Sequence, residues 1–110
     1  MKTEIKNLWT SALLNGDYKQ TKGYLHKEDC FCALGVLVDI YLKEKGLKWI
    51  ERSGGVYAYS LGEGYLNATG ISMSIKDWAD MPINLSETIM IMNDDEDKSF
   101  AEIAYFLKAN

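Results

Sequence analysis

The stretch 17–27, DYKQTKGYLHK, interleaves polar and aromatic residues around Lys22-Gly23. In a regular strand Tyr18, Gln20, Lys22, Tyr24 and His26 share one parity and project to one side. Such a set suits a nucleotide-like small molecule: tyrosines stack on a base, Gln20 reads its edge and Lys22 meets a phosphate. A half-exposed edge strand is the plainer reading of the same residues. Further candidates are Cys32 and Asp39 in the apolar run that follows, and Asn93-Asp94 at a later helix junction. The candidate ligand-binding set is therefore Tyr18, Gln20, Lys22, Tyr24, Cys32, Asp39, Asn93 and Asp94, with no catalytic residue and no metal ligand assigned.

Catalytic chemistry has little to draw on. His26 lies four residues before Cys30, a spacing that brings both to one helix start and could lower a thiol pKa. No third orienting group, glycine-rich phosphate loop or paired-acid motif accompanies them. His26, Cys30 and Cys32 offer three soft ligands, one short of a zinc site. Asn93 to Lys98, NDDEDK, lacks the glycine and distal glutamate of a calcium loop. No cofactor is expected, and a thiol-dependent enzyme is the third reading.

The elements that must position these residues are legible in part. Phe31 to Leu42, FCALGVLVDIYL, is nearly unbroken apolar sequence with acids before it and bases after it, which predicts a buried central helix. Asp29 is its expected N-cap and Gly46 its expected stop. The N-terminus of such a helix suits an anion, although Glu28 and Asp29 already occupy that dipole end. Asp39 interrupts the run and must either reach the rim or find a partner. Ile5, Leu8, Trp9, Ala12 and Leu13 predict an amphipathic helix over 3–15. Two runs around Gly54-Gly55 predict a hairpin, with Arg52 opposite Tyr57 and Ile50 opposite Tyr59. Gly62 to Gly70 reads as a loop and the most mobile segment. Short helices follow, capped by Ser74 and Ser86 (88–92, TIMIM, being equally readable as a strand), and Ser99 with Glu102 forms a capping box before the last helix. The fold class is α+β: one small domain over 1–110 with a buried central helix, a β-hairpin or antiparallel sheet, and several short helices.

Bulk charge narrows the partners. The chain has 12 Lys and Arg against 16 Asp and Glu, a net charge of −4, which argues against nucleic-acid binding. The charged opening MKTEIKNLW does not read as a signal peptide, and no apolar run is long enough to span a bilayer. The expected location is cytoplasmic.

Two blocks carry a resemblance. Trp9, Ala12-Leu13, Gly16, Tyr18, Gln20, Gly23-Tyr24-Leu25 and the run Phe31 to Asp39, with Asn93-Asp94 and Ser99-Phe100, Ile103-Ala104, resemble a family of small uncharacterised phage and prophage proteins. Where that family has a Cys-Cys and a Cys-Asp pair, this chain has Cys-x-Cys and Val38-Asp39. The departure weakens any essential thiol or metal role at those positions. The resemblance implies a phage or mobile-element origin, a host-cytoplasmic location and an accessory role. The first functional reading is a non-enzymatic binding protein that sequesters a nucleotide-like small molecule, as in counter-defence. The runner-up is an acidic protein-interaction module that blocks a host protein through Glu28-Asp29 and Asp94 to Asp97. A homo-oligomer paired through the edge at 17–27 or the hairpin is compatible with either.

Overall fold

Helix α2, Ala33–Lys45, has every residue from Ala33 to Asp39 buried, and Leu42 with them. The computed structural model describes residues 1–62 and 66–110. Against α2 pack α1 (Thr3–Leu14) and α4 (Leu85–Asp94), and α5 (Phe100–Ala109) packs on α1 and α4. Trp9 of α1 is fully buried and donates its indole N–H to the Ala33 carbonyl at 2.9 Å, tying α1 to the first turn of α2. A short α3 (Met73–Ala79) buries Ile75 and Ala79. No helix among the described residues is long and apolar enough to cross a membrane.

The sheet has five very short strands: β1 Lys19–Gln20, β2 His26–Lys27, β3 Cys30–Phe31, β4 Ile50–Glu51 and β5 Val56–Ala58. Their order is β1-β3-β2-β5-β4. β1 runs parallel to β3, and the other pairs are antiparallel. Helix α2 and the residue that leads into β2 meet backbone to backbone at Gly35, where an added Cβ would lie 1.8 Å from the Leu25 carbonyl oxygen. The α+β class is as the sequence predicts.

Several local expectations are corrected. The apolar run is not one helix: Phe31 belongs to β3, and α2 starts at Ala33 with Cys32, not Asp29, as N-cap. β1 and β2 compete for residues 30–31 and win, because they supply ladder partners on both edges. Asp29 pairs instead with Lys19. The segment 17–27 is not one strand either. It breaks between β1 and β2, with Gly23 at φ 80°, so its alternate residues do not share a face.

The hairpin register is shifted by one. Ile50 opposes Ala58 and Glu51 opposes Tyr57. The turn takes three residues, Ser53–Gly55, closed by the Arg52 N–H on the Val56 carbonyl at 2.7 Å, and one residue of shift exchanges every pairing. Ser72, not Ser74, caps α3. Asn84 precedes α4, whose Ser86 is buried in the first turn, and TIMIM is helical. Leu8 falls off the buried stripe of α1 and is 51% exposed. Gly46 does stop α2 in the left-handed conformation, and the Ser99–Glu102 capping box forms. Of the segment Gly62 to Gly70, expected as a mobile loop, residues 63–65 lie outside the described residues; beyond them Asn67 bridges to Tyr59.

Candidate functional site

Two polar junctions hold five of the eight candidate residues: Gln20, Asn93 and Asp94 at one, and Tyr18 and Asp39 at the other. The first is an amide pair, Gln20 of β1 and Asn93 of α4, joined at 2.8 Å. Helix starts leave N–H groups without partners, and this pair supplies them. The Asn93 carbonyl accepts from the Ala33 N–H of α2 at 3.2 Å, and the Gln20 carbonyl accepts from the Phe100 N–H of α5 at 3.1 Å. The two amide NH2 groups donate to the Lys98 and Thr21 carbonyls, each at 2.8 Å. Asp94 accepts from Asn93 at 2.8 Å and from the Gly23 N–H at 3.2 Å. Lys22 pairs with Asp97 beside it. Asn93 is 1% exposed. The anion expected at the α2 N-terminus finds its donors engaged, Ala33 by Asn93 and Gly35 by the Cys32 sulfur at 3.4 Å.

The second junction is Asp39. Its position on α2 turns it toward the sheet, and it is 6% exposed. Tyr18 donates to Oδ2 at 2.6 Å, Lys43 meets the same oxygen at 2.9 Å, and the Trp49 indole donates to Oδ1 at 2.9 Å. Burial pushes the carboxyl upward, but the donors Tyr18, Lys43 and Trp49 outweigh it and hold the carboxyl below its ordinary value. Burial, then the bond to Asp39, raises the Tyr18 hydroxyl well above its ordinary value, so it stays a donor.

A row of rings stands beside this carboxylate. The sheet register aligns Phe31, His26 and Tyr57 on neighbouring strands. His26 stacks on Phe31 at 3.9 Å between centroids and on Tyr57 at 4.2 Å. Tyr18 meets Phe31 edge-on at 4.9 Å, and Trp49 meets His26 edge-on at 5.0 Å. All five rings are half-buried. The Lys43 ammonium lies 5.8 Å from the Tyr18 ring centroid with its side chain 73% exposed. Burial lowers the His26 pKa, so the ring is neutral near pH 7.

The remaining candidates stand apart. Tyr24 carries the Lys27 ammonium 5.3 Å from its ring centroid. Burial pushes the Cys32 thiol up to about 11. Burial and the bond to Asp29 raise Cys30, whose thiol donates to Asp29 at 3.5 Å. No group of three His, Cys, Asp or Glu among the described residues is placed to hold a metal. The structure thus brings Gln20, Asn93 and Asp94 together, and separately Tyr18 with Asp39. Phe31, Tyr57, Trp49 and Lys43 were outside the sequence-derived set. Of these, the expected hairpin pairing singled out only Tyr57, and Lys43 stands one helical turn after Asp39.

The chain belongs to a family described as a domain of unknown function (DUF8296), whose model matches residues 1–110. No curated protein and no solved structure matches it.

Proposed function

We propose that the chain is a non-catalytic binding module that takes a planar anion, a nucleotide-like small molecule, against the ring row beside Asp39 and Lys43. The observation that carries this is the half-buried row itself, with an exposed ammonium tethered at its Tyr18 end. Rings offer edge and face contacts to a base, and Lys43 keeps N–H groups beyond its bond to Asp39 for a phosphate. Both thiols are raised rather than activated, and His26 is held between two rings instead of against a nucleophile. The resemblance to phage proteins supports an accessory role in which occupancy alone acts, withdrawing a host signal as counter-defence.

Calorimetry against cyclic nucleotides and ADP-ribose derivatives tests the reading. Binding is expected for at least one, weakened about tenfold or more in Lys43→Ala. The absence of heat and of thermal shift with every compound discards it.

A second reading, a protein-interaction module, is favoured by the exposed acids Asp95, Glu96 and Asp97 after α4. A host protein captured at low salt and released at high salt supports that alternative, and salt-insensitive capture counts against it.

A further inference from the structure

Ile83 is 91% exposed, on the corner that joins α3 to α4. The corner is stiff. Asp80 and Asn84 both take left-handed backbone, φ 50° and 69°, and Pro82 fixes the backbone between them. The Met81 N–H donates to the Lys76 carbonyl at 2.9 Å, and the Leu85 N–H to the Pro82 carbonyl at 3.1 Å. An apolar side chain held this way loses little backbone freedom when it docks.

The corner separates two clefts. One, of about 350 Å³, has Lys6 of α1, Leu85 of α4, and Phe106 and Leu107 of α5 in its walls. The other, of about 370 Å³, is lined by the acids Asp77, Asp80 and Glu87, offset in part by Lys76. One face of the molecule therefore carries a projecting aliphatic residue, an apolar hollow beside it, a cation on the wall of the hollow and an excess of acids on the opposite side. A two-fold contact requires a patch complementary to itself, and this patch supplies both halves.

We propose that a second copy of the chain covers this face, with Ile83 of each copy seated in the cleft between Lys6 and Phe106–Leu107 of the other. Lys6 of each copy then faces the acids Asp77, Asp80 and Glu87 of its mate, so the charges fix the register in which Ile83 docks. The pairing uses none of the ring-row residues, so a dimer presents two open rows.

Sedimentation equilibrium of the full chain over a wide concentration range tests this. A reversible dimer is expected, weakened about 30-fold or more by Ile83→Glu and several-fold by Lys6→Glu. Both positions lie outside the hydrophobic core, and circular dichroism confirms that each variant is folded. Ile83→Ser, which adds no charge, is expected to weaken the dimer in the same direction. A wild-type chain that stays monomeric at about millimolar concentration overturns the proposal. So does a dimer that survives Ile83→Glu, or one that Lys6→Glu leaves unchanged. None of these results bears on ligand binding at the rings, which calorimetry reads separately.

Discussion

The Asn93 junction and the Asp39 junction are built from similar parts and do different work. Each gathers side chains distant in sequence onto one polar residue of a helix. At Asn93 the centre is a neutral amide, almost wholly enclosed. It bonds the Ala33 N–H at the start of α2, the Thr21 carbonyl after β1 and the side chains of Gln20 and Asp94, and Gln20 in turn reaches backbone groups at Lys98 and at the start of α5. At Asp39 the centre is a charged carboxylate, and its partners are side chains: a phenol, an indole and a largely exposed ammonium. Backbone partners cannot leave without unfolding something. Side-chain partners can swing away or add a contact. The first arrangement fastens α2, α4 and α5 together, and the second leaves groups with capacity to spare.

That contrast can be broken by mutation. The largest effect is expected from Asn93→Ala, which strands the Ala33 N–H, the Thr21 carbonyl and part of Gln20. We expect a loss of about 3 kcal/mol in denaturant unfolding. A loss under about 1 kcal/mol would mean that the amide is no fastening. Asp39→Ala comes next, at about 2 kcal/mol, since Tyr18 and Trp49 lose an acceptor. The sign of its pH dependence follows from the depressed carboxyl. The linked stability is present above the unfolded value near pH 4 and is lost as pH falls through the lower folded value. Asp39→Asn should flatten the acid limb of a thermal-stability profile, and an unchanged limb would remove the carboxylate from the account.

Trp49→Phe keeps a ring and deletes one donor, for about 1 kcal/mol. Lys43→Ala is expected to be the mildest, within about 0.5 kcal/mol because the ammonium is mostly exposed, while carrying the largest loss of ligand affinity. A Lys43 variant that unfolds readily but binds normally would invert the comparison. Thiol titration gives a further check. With Cys32 raised to about 11 and buried, only Cys30 should react in the folded chain near pH 8, and slowly. Rapid modification of Cys32 without unfolding would show that the α2 start is open.

The sequence disclosed those features whose signals are local. The capping box at Ser99 and the stop at Gly46 each act within a turn or two, and each is observed. Strands of two residues offer no period to detect, so β3 was hidden inside what reads as helix. Cys32 took the cap because the sheet drew residues 30–31 away from α2. The hairpin slipped by one because Ser53 joined both glycines in the turn. Site residues were legible by type but not by partner. Gln20 and Asn93 lie 73 positions apart, and nothing local links them.

The sheet that bears the rings has strands of only two or three residues. Ladders so brief cannot hold themselves together, so this platform stands only while the helices beneath it and the Tyr18–Asp39–Trp49 bridge are intact. Amide hydrogens of the ring-bearing strands should therefore exchange well before those of α2 and α5, through local opening rather than global unfolding. An occupant lying across the rings would act as a splint, and its arrival would register as slowed exchange in strands that it touches only through side chains.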